Sequence, residues 1–387
     1  MDREWAVYGP SNGRRVVVTK ELPGTRWLEI LMGADARVEV ARGPEPFDED
    51  GLVAAIGGRC DMVVGQLTEP WSAAPLAALE AAGAAGYSQY AVGFDNVDVA
   101  AATRLGLPVG NTPGVLTHTT AECAVALTFA AARRIVEGDA FVRDGRFAGW
   151  LPTLLLGNRL WRGTVGVIGA GRIGEAYARM MAEGHKMDVA YLDVRRNHAL
   201  ERYVRDYATF LKSRGEEPVA CRRADDPDDL LRTADVVSLH VTLNATTRHM
   251  IGARELGLMK DDAVLVNTSR GPLIDEGALV EHLRTHPDFR AGIDVYEREP
   301  AVAPGLAEQR NAVVIPHLGS ATRWTREGMA VLAAQNAVAM LEGWPVYNGP
   351  DVHAFLDDAP VQAAPSIVNA GDLALATLSP MPTKEES

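Results

Sequence analysis

Three short polar segments carry the residue types that carbonyl reduction requires: Asn267-Thr-Ser-Arg-Gly-Pro272, Asp294 to Glu299, and His317-Leu-Gly-Ser320. Adding hydride to a 2-oxo acid calls for a cationic fork on the carboxylate and ketone oxygens. It also calls for an acid to protonate the nascent alkoxide, and a carboxylate that keeps this acid charged. Arg270 suits the fork, because a guanidinium binds planar oxygens bidentately and polarises a carbonyl. His317 suits the acid, since imidazole titrates near neutral pH, and Glu299 suits the partner of the imidazolium. Each also has a plainer explanation. Arg270 could sit in a surface turn before proline, Glu299-Pro300 could start a helix, and His317 could be a satisfied structural histidine. Their order after successive apolar runs favours the joint reading.

A hydride carrier has a candidate site upstream, in Thr164-Val-Gly-Val-Ile-Gly-Ala-Gly-Arg-Ile-Gly174. Gly169 permits a tight turn, Gly171 lets backbone approach a pyrophosphate, and Gly174 lets helix and strand pack closely. Arg172 and Ile173 lie between them at the start of the expected helix and belong to the same cofactor-binding set. By itself G-x-G-x-x-G is a weak signal, but here a strand precedes it and a helix follows. Asp193 ends the next strand, where a carboxylate can accept from ribose hydroxyls and repel a 2′-phosphate, so NAD(H) is favoured. Arg195 and Arg196 keep NADP(H) open, with a solvated surface pair as the alternative. Thr268, beside Arg270, joins the cofactor set. In the loop Tyr90–Asp98, the backbone N–H groups of Val92 and Gly93 are candidates for the substrate carboxylate. His118, His240 and His249 read as structural, and no H-E-x-x-H or Cys/His cluster suggests a metal.

Positioning these groups requires strands that end at one edge. Short apolar runs recur with helical stretches between them: Val16–Thr19, Val38–Val40, Met62–Gly65 and Leu107–Gly110, then Val165–Ile168, Val189–Leu192, Val236–His240, Ala263–Asn267, Ala291–Ile293 and Val313–Pro316. Such alternation predicts α/β architecture, with two doubly wound Rossmann-like domains and an interdomain cleft. Thr119–Arg146 predicts one long Ala-rich helix leading from the first domain into the second, and Thr325–Glu342 predicts another that returns. Glu201–Leu231 reads as a charged insertion, and the stretch after Pro345 as irregular. A chain of 387 residues suits two domains, and 47% hydrophobic with 23% charged residues is an ordinary globular composition. The net charge of −13 argues against nucleic-acid and anionic-membrane partners. Three scattered cysteines point to a reducing compartment, and neither a membrane-spanning run nor a secretory signal is visible.

In combination, Gly166–Gly174, Leu265–Leu283, Gly292–Pro300 and Pro316–Ala321 resemble the D-isomer-specific 2-hydroxyacid dehydrogenase family, a likeness running from about residue 10 to 345. Further segments, among them Thr19–Trp27, Asn111–Leu116 and Pro365–Asn369, are similar to the plant-type hydroxypyruvate reductase branch of that family. The resemblance implies NADH-dependent reduction of hydroxypyruvate to D-glycerate, and of glyoxylate to glycolate, with Arg270, Glu299 and His317 as the catalytic triad. It implies Asp294 as a contact for the nicotinamide amide. It also implies a discontinuous substrate (lid) domain, 1–117 plus 321–387, and an NAD-binding Rossmann domain, 118–320, whose dimerisation arm, 118–157, builds a homodimer. Trp150 resembles a tryptophan of that arm which reaches the partner's substrate pocket, with interface packing as the alternative. Plant members end in a peroxisomal Ser-Lys-Leu signal, whereas Lys384-Glu-Glu-Ser387 stands here, so a cytoplasmic or organelle-matrix setting is expected. A glyoxylate-preferring enzyme and an NAD(H)-sensing corepressor are the alternatives; formate dehydrogenase is disfavoured by Glu299, and phosphoglycerate dehydrogenase by the short tail.

Overall fold

A computed structural model of the protein describes residues 3–357 and 361–378; the Lys384–Ser387 terminus lies outside the described residues. Two compact units divide the chain, one formed by Met1–Leu116 with Ala321–Ser387 and the other by Thr117–Ser320.

The first unit holds strands β1 (Trp5–Tyr8), β2 (Arg14–Val18), β3 (Ala36–Ala41), β4 (Met62–Gly65), β5 (Tyr87–Gln89) and β6 (Val109–Gly110), in the spatial order β1-β3-β2-β4-β5-β6. All pairs are parallel except β1 with β3. Parallel strands need covering on both faces, which explains why β2 ends in three buried valines and β4 is buried throughout. One face is covered by the helix Arg323–Glu342, which packs on the helix Arg26–Gly33 and on β4, β5 and β6. That helix begins with the Thr322 hydroxyl accepting from Thr325 N–H. The segment after Pro345 is irregular in conformation, yet it is packed rather than loose. Val346, Ala364, Ile367 and Ala370 are buried together with Ala339.

In the second unit a seven-stranded, wholly parallel sheet has the order β13-β12-β11-β10-β7-β8-β9. Its strands are β7 (Thr164–Ile168), β8 (Asp188–Leu192), β9 (Cys221–Arg223), β10 (Val236–Leu239), β11 (Val264–Asn267), β12 (Arg290–Ile293) and β13 (Ala312–Val314). From β7 the chain winds outward through β8 and β9, then returns to wind the other way from β10. The strand order therefore reverses between β7 and β10, and ligands of such sheets bind beyond the carboxyl ends at that point. β9 comes from the charged insertion, which also contributes most of the helix His198–Ser213.

One expectation fails. The single helix over Thr119–Arg146 is two helices, Thr117–Ala132 and Ile135–Arg143, broken where Arg134 turns left-handed at φ 54°. The cause is tertiary. Asn158 N–H donates to Ala132 O at 2.8 Å, so returning chain takes the carbonyl that a continuing helix would use. Gly157 sits so close that a Cβ there would lie 2.4 Å from that oxygen. Arg134 is then locked by Glu137, with two contacts of 2.8 and 2.9 Å. Among the described residues no helix is long and apolar enough to cross a membrane.

Leu265, fully buried on the interior strand β11 of the second sheet, gives a test of this core. Leu265→Ala should destabilise the protein by about 2–5 kcal/mol through lost burial and the cavity left behind, read as a lower urea midpoint of unfolding.

Candidate active site

Site residues of the second unit cluster at the carboxyl ends of its strands. After β7, Gly169 takes φ +95°, a conformation that any side chain would strain, and a Cβ there would lie 2.6 Å from the His240 carbonyl carbon. At Gly174 a Cβ would fall 1.9 Å from the Gly169 oxygen, so only glycine lets the helix Arg172–His185 meet the turn. Gly171 is different, because a Cβ there would meet nothing within 4 Å. Backbone at Gly171 thus faces open space at a helix N-terminus that no side chain caps. Arg172 is exposed and Ile173 packs partly on the core. Unpaired first-turn N–H groups and the helix dipole favour an anion at this position.

Asp193 stands just beyond β8 and braces the glycine turn, accepting from Ala170 N–H at 2.8 Å and from Arg195 N–H at 2.9 Å. Each carboxylate oxygen keeps a lone pair for a ribose hydroxyl. Of the two arginines that follow, Arg196 is paired with Glu201 at 3.0 Å and Arg195 is exposed. Arg223, which sequence reasoning did not single out, donates to the Asp193 carbonyl at 2.8 Å. At the end of β11 the Thr268 hydroxyl is buried with no hydrogen-bond partner among the described residues. An open glycine, an uncapped helix start and an orphaned hydroxyl, all at the switch edge, fit a dinucleotide.

Arg270 follows in the same turn. Asn267, buried at the end of β11, accepts from Ser269 N–H at 3.0 Å and donates to Arg270 O at 2.8 Å, which fixes the turn's shape. Gly271 packs so tightly on the next loop that a Cβ would lie 1.8 Å from the Tyr296 carbonyl carbon. This close approach brings the Arg270 turn against the loop that carries Glu299. That glutamate accepts from Tyr296 N–H at 3.1 Å through Oε1 and faces His317 Nδ1 at 2.9 Å through Oε2. Glu299 does not begin a helix; Glu299-Pro300 is a cis peptide in a turn. Burial pushes the Glu299 carboxyl up, but the His317 hydrogen bond and charge, the Tyr296 N–H and the Arg270 charge outweigh it and hold the group below its ordinary value.

His317 itself has a left-handed backbone, φ 53°. Asp294 holds it there. The Asp294 carbonyl accepts from His317 N–H at 2.8 Å, and its carboxylate accepts from Leu318 N–H at 2.5 Å and Gly319 N–H at 2.9 Å. Asp294 is fully buried, and burial raises its carboxyl above the ordinary range against the pull of Leu318 N–H, the His317 charge and Gly319 N–H. Its bracing of the histidine turn was not foreseen from sequence, where only a ligand contact was considered. His240 lies inside the fold, bonded to Ser238 Oγ at 2.9 Å, with burial lowering its pKa to about 3. His249 pairs with Glu297 at 3.3 Å, and His118 is exposed.

In the first unit, Val92 and Gly93 form a half-buried turn after β5. Trp150 lies in the long connection before β7 and is 82% exposed.

An acid–base pair and a guanidinium on the carboxyl edge of a dinucleotide fold define a hydride-transferring oxidoreductase. The chain belongs to the D-isomer specific 2-hydroxyacid dehydrogenase family, whose NAD binding domain matches residues 125–319. A glycerate dehydrogenase of Cucumis sativus is 53% identical over 368 residues, 94% of this chain and 96% of that protein. A glyoxylate reductase of Thermococcus litoralis is 45% identical over 260 residues, 66% of this chain and 73% of that protein. Among solved structures, a Thermus thermophilus protein superposes with a TM-score of 0.75 and 36% identity, covering 92% of this chain and 99% of that one.

These contacts set two expectations. Gly171→Ala should weaken NADH binding by at least about tenfold without lowering the melting temperature, because its Cβ enters only the space a phosphate needs; Gly174→Ala should lower both, as read by fluorescence titration and thermal melting. The lowered Glu299 value stabilises the fold above the ordinary carboxyl value of 4.5, and this is lost as pH falls through the lowered one. Asp294, raised, acts in the opposite sense, since acid relieves its buried charge. In urea unfolding from about pH 6 to about pH 3, wild type should therefore lose stability more steeply below 4.5 than Glu299→Gln does.

Proposed function

We propose that the protein reduces hydroxypyruvate to D-glycerate with NADH, and glyoxylate to glycolate by the same chemistry. The observation that carries this is the 2.9 Å His317–Glu299 pair beside the Arg270 charge, on the NAD-binding unit of a D-2-hydroxyacid dehydrogenase. The likeness to a glycerate dehydrogenase over nearly the full length of both chains supports the three-carbon substrate.

Arg270 holds the substrate carboxylate and polarises the ketone, with the Val92 and Gly93 N–H groups as further carboxylate donors. When bound, the nicotinamide supplies the hydride. Glu299 occupies His317 Nδ1, so Nε2 is the nitrogen that donates a proton to the forming alkoxide. The same carboxylate balances the imidazolium before transfer and fixes the ring plane. Gly169, Gly171, Arg172, Ile173 and Gly174 receive the pyrophosphate, Asp193 the ribose, and Thr268 and Asp294 the nicotinamide end. Residues 1–117 with 321–387 act as the substrate domain, and 118–320 as the cofactor domain. A homodimer is supported by apolar side chains exposed along residues 147–161, Trp150 among them, and a cytoplasmic setting by three unpaired cysteines.

The test is a panel of 2-oxo acids with NADH and NADPH, following nicotinamide absorbance. Hydroxypyruvate should be preferred, with glyoxylate separated by about 1–3 kcal/mol in kcat/KM, since only a hydroxymethyl group distinguishes them. His317→Ala should lower kcat by about 10²–10⁴-fold while retaining NADH binding, whereas Arg270→Ala should raise KM and lower kcat together. Near-normal turnover in the histidine variant would remove it as the acid, and binding of NADH without turnover of any 2-oxo acid would point to a dinucleotide sensor.

A further inference from the structure

Two peptide planes in the first unit are held in an unusual way. A trans peptide fixes its N–H opposite its C=O, so pinning the carbonyl aims the amide. The plane that bears Val92 N–H has its carbonyl, Ala91 O, bound by Thr112 N–H at 2.9 Å. The plane that bears Gly93 N–H has its carbonyl, Val92 O, bound by Asn111 Nδ2 at 2.9 Å. Gln89 Nε2 holds the following carbonyl, Gly93 O, at 3.2 Å. Neither the Val92 nor the Gly93 N–H has a hydrogen-bond partner among the described residues. Adjacent, fixed and unpaired N–H groups make an anion-binding concavity.

The residues that aim them are tied to chain more than two hundred positions away. Asn111 Oδ1 accepts from Ser366 Oγ at 2.6 Å, and Asn111 N–H donates to Ser366 O at 3.2 Å. Asn336, on the helix Arg323–Glu342, closes the ring by donating to Asn111 O at 2.8 Å and accepting from Ser366 N–H at 3.0 Å. All three side chains are buried. With Oδ1 occupied by a hydroxyl donor, the Asn111 amide can present only its NH₂ to Val92 O.

We propose that Ser366, acting through Asn111, sets the direction of the Gly93 N–H and so tunes affinity for the substrate carboxylate. The irregular segment after Pro345 is thereby a positioning element of the substrate site rather than a passive cover. This rests on the reading of Val92 and Gly93 as carboxylate donors.

Four variants test it, each with hydroxypyruvate KM, kcat, NADH dissociation constant and melting temperature measured on the full chain. Ser366→Ala should raise KM about three- to tenfold, the worth of one misdirected hydrogen bond, with kcat changed less than about twofold. Its NADH affinity should not move. Asn111→Ala should raise KM at least as much, and Ser366→Thr, which keeps the hydroxyl, should restore the wild-type KM. Gly93→Pro removes the amide itself and should raise KM more than any of them. If Gly93→Pro raises KM while Ser366→Ala and Asn111→Ala leave it unchanged, the relay is wrong and the amide reading stands. An unchanged KM in Gly93→Pro, with NADH binding intact, overturns both. A fall in kcat, NADH affinity and melting temperature together in Ser366→Ala would reduce its role to folding.

Discussion

A buried aspartate holding three consecutive backbone N–H groups, two on its carboxylate and one on its carbonyl, is the constraint on which the candidate site depends. Asp294 takes the N–H of His317 on its carbonyl and those of Leu318 and Gly319 on its side chain. The left-handed backbone at His317 costs about 1–2 kcal/mol in isolation, and these contacts offset it. Without them the imidazole would not be held 2.9 Å from Glu299. The site is thus assembled from the backbone outward: Asp294 shapes a turn, the turn aims a ring, and Glu299 holds that ring through Nδ1.

The two carboxylates beside His317 are pushed in opposite directions by different balances of the same forces. At Asp294 burial prevails and the carboxyl is raised; at Glu299 the surrounding positive groups prevail and it is lowered. Glu299 therefore stays ionised and can support an imidazolium, while Asp294 is held by N–H donors rather than by solvent. The opposition is a division of labour, one carboxylate for charge and the other for shape.

Much of this was legible in the chain. β4, β7, β10 and β11 are mostly apolar runs, as strands buried on both faces must be, and the α/β class follows from their alternation with helices. The order of Arg270, Glu299 and His317 after successive strands was readable for the same reason. β5 and β9 were not, because Tyr87-Ser-Gln89 and Cys221-Arg-Arg223 lack β-branched residues and are strands only through their neighbours. Nor was the helix break at Arg134, since two arginines in an Ala-rich stretch favour helix, and the interruption is imposed by chain returning from Asn158. Asp294's grip on its turn and Asn111's hold on Val92 were hidden for a common reason. Both act on backbone groups, which leave no trace in residue type at the receiving end.

That return of chain to Ala132 has a consequence for how the protein can change. Within the second unit, residues 133–156 form an excursion that begins and ends at nearly one point, sealed by Asn158 N–H on Ala132 O. The excursion is a closed loop with respect to the parallel sheet. Its length and side chains can therefore change while the strands that precede Gly169, Asp294 and His317 keep their register.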